Sequence, residues 1–167
     1  MNPAEVYQAH PTQDEIDEVL DRRGVAAIGT LNEDGSIHLT YVIYLHEGGR
    51  LFFETSSVTR KARNAAARTK ASFLVHGTAS SGRAVMVPGE GEAHVIDGPE
   101  AIAINHRIRK KYVTDEAIAG IDRAWAKLDD VAIEITPKRW RSWTGAVLRE
   151  QTERAGGLDY DAAWRED

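Results

Sequence analysis

"GVAAIGTLNEDGSIHLTYVIYL", residues 24–45, decides the fold. Its two apolar-rich runs, "GVAAIGTL" and "SIHLTYVIYL", read as strands, and "NEDG" separates them. Asp34-Gly35 is a strong hairpin signal, because a tight turn between antiparallel strands needs positive φ. A second turn, "HEGG" at 46–49, leads directly into "RLFFE" at 50–54. Three strands with no room between them for a crossover helix make an antiparallel meander and argue against a doubly wound parallel sheet.

Downstream, "KASFLVHG" at 70–77 reads as a fourth strand and "TASSG" at 78–82 as a loop. "RAVMVPGEGEAHVID" at 83–97 is a long strand interrupted by Pro88, Gly89 and Gly91, which predict a bulge or sharp bend of the kind a barrel corner requires. "DVAIEITPKRWRSW" at 130–143 returns to alternation as the last strand. Helices fill the remainder. "HPTQDEIDEVLDRRG" at 10–24 carries Thr12 as N-cap, Glu15 to complete a capping box, Gly24 as a stop, and an apolar stripe of Ile16, Val19 and Leu20. Asp97 and Pro99 open a helix with Ile104, Ile108 and Tyr112 on one face. Thr114 opens another, with Ile118, Ile121, Trp125 and Leu128. The fold class is therefore mainly β with peripheral helices, a small antiparallel barrel. One domain is expected over residues 1–167, with 152–167 an acidic tail that is flexible or docks through Leu158, Tyr160 and Trp164.

The chain is long enough to bury a core without staples, and its lack of cysteine excludes disulfides and thiolate metal sites. The first thirty residues are polar and charged, so the expectation is a soluble, cytoplasmic protein with no membrane segment. The net charge is −5, of which −4 falls in Glu150–Asp167, leaving residues 1–149 near neutral at −1. A nucleic-acid partner would need a broad basic face, which is missing. The six histidines, His10, His38, His46, His76, His94 and His106, include no helical pair at metal-ligand spacing, so no metal is expected. His38 and His76 could face a cleft. Gly89-Glu90-Gly91 lacks the third glycine of a dinucleotide fingerprint and reads as a bend. Asp14, Asp17, Glu18 and Asp21, and separately Arg107, Arg109, Lys110 and Lys111, read as solvated helix faces.

One charge run breaks an electrostatic rule. From Thr55 to Lys70 there are five basic residues and no acid, and Arg60 and Lys61 occupy the first turn of a helix, where the macrodipole favours carboxylates. Cations there cost the helix a few tenths to about 1 kcal/mol unless an anion neutralises both. The hydroxyls of Thr55, Ser56, Ser57 and Thr59, the free amides of the first turn and two cations together describe a phosphate cradle. Small residues at Ala62, Ala65, Ala66 and Ala67 let this helix lie close to the sheet.

"FFETSSVTRKARN" at 52–64 resembles the strand, hydroxyl, Arg-Lys, helix segment of the pyridoxamine 5'-phosphate oxidase-like superfamily, the FMN-binding split barrels. The opening hairpin at 24–45 is similar to theirs. So is "ITPKRWRSWTG" at 135–145, through Pro137, Arg139, Trp143 and Gly145. The resemblance covers roughly residues 20–149 and implies an antiparallel split β-barrel, a homodimer and a cofactor in each cleft between subunits. By that analogy Arg60 and Lys61 hold the cofactor phosphate with help from Thr59 and Thr55, Thr40 faces the same cleft, and Trp143 meets the ring system. Arg149 falls where the oxidase has a substrate-phosphate arginine.

The departures are equally informative. At Thr40 the oxidase pattern has an arginine for the flavin phosphate, and near Gln151 it has a histidine for the vitamin substrate. Their absence argues against a true pyridoxamine phosphate oxidase and for the branch that uses the deazaflavin coenzyme F420 or FMN. Either would carry hydride itself while the protein anchors, orients and shields it. The surplus cations Arg63 and Arg68 favour F420, whose polyglutamate tail they would suit. The rivals are a non-catalytic flavin, haem or tetrapyrrole carrier and a structural dimer with a vacant cleft. Trp140 and Trp143, three apart, should point to opposite faces of a regular strand.

Overall fold

In the computed structural model, which describes residues 9–125, 128–160 and 162–163, the hairpin turns at Asp34-Gly35 with Gly35 at φ +82°. Asp34 fixes the turn: its Oδ1 accepts from the Ser36 amide at 2.9 Å and from the Ser36 hydroxyl at 2.6 Å. The hairpin joins β1 (Val25–Leu31) to β2 (Ile37–Glu47), and a second turn leads to β3 (Arg50–Ser56). Helix α2 (Arg60–Ala67) follows, then β4 (Lys70–Thr78) and β5 (Ala84–Ile96). After α3 (Gly98–Tyr112) and α4 (Asp115–Trp125), β6 (Asp130–Trp140) completes a closed antiparallel barrel in the order β1-β2-β3-β6-β5-β4. Pairing of β1 with β4, in the register Ile28↔Phe73, closes the ring. Closure leaves no bare strand edge to template aggregation.

The expected bend in β5 is a register shift between Glu90 and Gly91 against β6. Only glycine fits there, since a Cβ on Gly91 would stand 2.1 Å from the Thr136 carbonyl oxygen.

Inward-facing residues of every strand fill the barrel, among them Ile28, Tyr44, Phe53, Val75, Val87 and Ile133. Burying side chains of this size contributes roughly 1.5–3 kcal/mol each before entropy is charged. Two helices close the barrel's ends. Helix α1 (Gln13–Asp21), with the complete Thr12/Glu15 capping box, lays Val19 and Leu20 against the core, and the Tyr44 hydroxyl donates to Val19 O at 3.1 Å. Helix α2 lies against β1, β2, β5 and β6, where Ala62 and Ala65 are buried. A second apolar layer forms outside the barrel, where Ala101, Ile104 and Ile108 of α3 cover Phe52 and Ala132.

Three differences from the sequence reading stand out. Leu128 lies in a bend outside the described part of α4 and is exposed. The segment expected to begin a tail at Thr152 is instead inside α5 (Ala146–Gly156), which Gly157 ends at φ +61°. Trp164 lies outside the described residues. The outer row of β2 is apolar yet open to solvent: Ile37, Leu39 and Tyr41 are 66–67% exposed.

Candidate functional site

The cradle is built where β3 gives way to α2. Thr59 is the N-cap: its Oγ1 accepts from the Ala62 amide at 3.4 Å and donates to Ser56 O at 2.8 Å. Thr55, buried at the strand end, places its Oγ1 2.9 Å from that of Thr59. The amides of Arg60 and Lys61, the first two of the helix, have no carbonyl within it to receive them. Ser57 turns the other way; its amide donates to Asp129 O at 3.2 Å and its hydroxyl to the Asp129 carboxylate.

Lys61 is half-buried, and that burial holds its ammonium below the usual lysine range. Among the described residues no carboxylate stands within ion-pair distance of Arg60, Lys61 or Arg63. A cation taken partly from water with no carboxylate beside it leaves its charge uncompensated within the chain.

Arg68 is held at the other end of the helix, by neutral acceptors. Its Nε donates to Leu31 O at 2.8 Å and its Nη2 to Asn64 Oδ1 at 3.4 Å, tying the end of α2 to β1. Lys70 lines a separate groove with Lys138 and Arg139. The basic run thus divides into Arg60, Lys61 and Arg63 in the first half of α2 and two cations at and beyond its end.

Thr40 sits on β2 opposite Ile28, in the row that runs inward to the buried Tyr44, and its hydroxyl makes one long 3.5 Å contact to Tyr41 O. Trp143 and Arg149 are not beside the cradle. Trp143 follows the end of β6 and bridges Met86 through bonds of 2.9 and 3.0 Å. The cradle's strand end lies elsewhere: Thr55 pairs with Val131 of β6, whose neighbour Ala132 pairs with Ile96 of β5, ten residues from Met86. At strand rise that is about 30 Å along β5. Because β6 ends at Trp140, the opposite-face argument for the two tryptophans does not apply. Trp140 is partly exposed and meets Phe73 edge-on at 5.3 Å. The Trp143 Nε1 and the Gln151 Oε1 are both buried with no partner. Arg149 lies on α5, donating from Nε to Glu153 Oε1 at 3.1 Å. His38 is half-buried and His76 exposed; no group of three potential metal ligands forms among the described residues.

The family model for pyridoxamine 5'-phosphate oxidase matches residues 12–144. The chain belongs to the pyridoxamine 5'-phosphate oxidase family. Solved structures with the same split-barrel fold include a conserved hypothetical protein of Mycobacterium tuberculosis. It is 27% identical, with 83% of this chain and 88% of that one covered, at a TM-score of 0.68. An F420 reductase is 21% identical over 75% of this chain and 94% of that one, at a TM-score of 0.56. The heme storage protein HutZ of Vibrio cholerae is 16% identical over 78% and 92%, at 0.60. No curated protein matches the chain.

Behind the cradle of this oxidase-family barrel stands a group the sequence reading assigned to solvent. Arg109, one of the run at 107–111, is buried. Its Nε donates to Glu54 Oε1 at 2.8 Å, its Nη1 to Asp122 Oδ1 at 2.8 Å and its Nη2 to Asp130 Oδ2 at 2.6 Å. Burial opposes the charge, but these three hydrogen bonds outweigh it and raise the guanidinium's pKa. Burial pushes the Glu54 carboxyl up, and Arg109 only partly offsets it. Lys111 also leaves the solvated face, with its Nζ 4.4 Å from the centre of the Tyr44 ring. Helical spacing held the signal: Arg109 follows the buried Asn105 by one turn and adjoins Ile108, so it lies on the covered side. Asn64 was also missed. Its Nδ2 donates to Thr30 Oγ1 at 3.2 Å and Asn32 Oδ1 at 2.9 Å, pinning α2 to the first hairpin.

Proposed function

We propose that this chain is an oxidoreductase that anchors coenzyme F420 or FMN by its phosphate at the start of α2 and passes hydride to a small organic acceptor. The observation that carries the reading is the half-buried Lys61 without a carboxylate, in the first turn of a helix that the paired Thr55 and Thr59 hydroxyls open. A phosphate supplies the charge that this arrangement lacks. When bound, either cofactor supplies the hydride chemistry in its ring system. The chain's own part is to bind and orient: Lys61 and Arg60 meet the phosphate charge, Thr59 holds the helix start in place, and Thr55 fixes Thr59. The case for F420 rests on Arg63, which is exposed, and on Arg68, whose hydrogen bonds go to the neutral oxygens of Leu31 and Asn64. Threonine at position 40 and glutamine at 151 speak against pyridoxamine phosphate as the substrate.

The reading extends to a homodimer. Within one chain, Trp143 and Arg149 stand far along the barrel from the cradle, and a second copy is the simplest source of a ring-facing Trp143. The exposed Ile37, Leu39 and Tyr41 give such a seam its apolar centre. The partnerless Trp143 Nε1 and Gln151 Oε1 lie in a segment that touches its own barrel lightly. Light scattering at micromolar concentration should give twice the mass of one chain; a single-chain mass contradicts the dimer.

The deciding experiment identifies, by absorbance and mass, any ligand released from the purified protein, and titrates the stripped protein with FMN and with F420. Reduced cofactor is then offered a quinone, an unsaturated lactone and a biliverdin-like acceptor. Turnover with one of them supports the enzyme. Tight binding with no electron transfer identifies a carrier of flavin or tetrapyrrole, and no binding of either cofactor overturns the proposal. The fold does not choose between these, since an F420 reductase and a heme storage protein both have it.

A further inference from the structure

We infer that Asn105 and Arg109 of α3 are positioning residues that hold the phosphate cradle in place from behind. The inference rests on the reading of the cradle as a phosphate site and adds what fixes its geometry.

The argument follows the backbone into the cradle. Thr55 and Ser56 pair across the sheet with Val131 and Asp130. Asn105 Nδ2 donates to the carbonyl of that same Val131 at 3.3 Å, and Arg109 Nη2 donates to the carboxylate of that same Asp130 at 2.6 Å. On the cradle's own strand, Arg109 Nε reaches Glu54, the residue before Thr55, at 2.8 Å. One residue beyond the strand, Ser57 is tied to Asp129 through both its amide and its hydroxyl. Every residue from 54 to 57 is therefore held by α3 directly or by the 129–131 segment that α3 grips.

General stability does not explain these two residues. Ala101, Ile104 and Ile108 already seat α3 on the sheet through apolar contact. Asn105 is fully buried and Arg109 nearly so, on the same covered face, where apolar side chains would extend that contact. A buried ion cluster gains little over well-packed apolar residues of similar volume. What it adds is direction: three hydrogen bonds from one rigid fork fix Glu54, Asp122 and Asp130 relative to one another. A cradle whose hydroxyls and amides must converge on one small anion needs that fixity, because a misplaced donor loses its bond.

The test separates the phosphate's share of binding from the ring's. The purified full chain is titrated with FMN and with riboflavin, which differ by the phosphate alone, so that their affinity ratio reports the cradle. Arg109→Gln should cut that ratio by about tenfold, the scale of coupling within one hydrogen-bond network, while leaving the affinity of the phosphate-free partner unchanged. Asn105→Ala should cut it in the same sense by a smaller factor. Ile108→Val, on the same helix but bonded to nothing in the cradle, should lower Tm and keep the ratio. If Arg109→Gln does not fold, Asn105→Ala decides alone. A folded Arg109→Gln or Asn105→Ala with the wild-type ratio overturns the inference, and so does an equal loss in Ile108→Val. Wild-type protein that binds phosphorylated and phosphate-free ligands alike removes the phosphate reading and this one together; a wild-type preference that the variants retain removes only this one.

Discussion

Two cations flank the end of β3. Arg109 is enclosed with Glu54, Asp122 and Asp130; Lys61, in the first turn of the helix that follows, is half-buried with no carboxylate within ion-pair distance among the described residues. Both have given up some water, and only the first has its countercharge built into the chain. A charge neutralised internally reports on architecture, and one left uncompensated is the candidate for an outside partner. The position of carboxylates distinguishes the two.

Removing each cation should separate the two roles. The largest effect is expected for Arg109→Ala, which strands the buried Glu54 carboxylate and the half-buried Asp130 and should cost about 3–5 kcal/mol of folding stability, read as a lowered urea midpoint. Because burial already raises the Glu54 carboxyl, the deficit should shrink as pH falls and Glu54 takes up a proton in the fold. Lys61→Ala should do the reverse, with no loss of stability but about 1.5–3 kcal/mol of cofactor binding, tenfold to a hundredfold in titration. An Arg109→Ala protein as stable as wild type, or a Lys61→Ala protein that binds normally, would erase the contrast.

Smaller effects sharpen it. Asn64→Ala removes the donor shared by Thr30 and Asn32 and should cost about 1–2 kcal/mol in thermal or urea unfolding, loosening α2 as a whole. Thr59→Ala deletes the N-cap and should cost about 1 kcal/mol of stability together with some affinity. The slightest effect is on pH. Burial lowers the free Lys61 pKa and a bound anion raises it, so affinity is complete below the free value and declines as pH rises through it. FMN titrations from neutral into alkaline pH should show that decline, and Lys61→Arg should flatten it.

Local chemistry made most of the barrel legible. Asp34-Gly35 announced its hairpin, Thr12 and Glu15 their capping box, and Pro88 to Gly91 the bulge, because each signal acts within a few residues. The closure of β1 on β4 was not legible, since it depends on residues some 45 positions apart with no shared local mark. Helix α5 escaped because its N-cap Gly145 offers no side-chain acceptor and none of its residues is buried, so neither a start signal nor an apolar stripe stands out. The proposed cradle drew notice as a breach of the macrodipole rule, which the structure keeps: no acid stands in the first turn of α2. Its backing did not: Arg109 sat in a basic run, and only the fold brings Glu54 and Asp130 to it.

Ala62 and Ala65, buried where α2 meets the barrel, carry one consequence more. Two methyl groups act as a shim between helix and strands, and the thickness of that shim sets how high the first turn of α2 stands over the barrel. A valine in either place would lift that turn and, on the proposed phosphate reading, move the anchoring point with it.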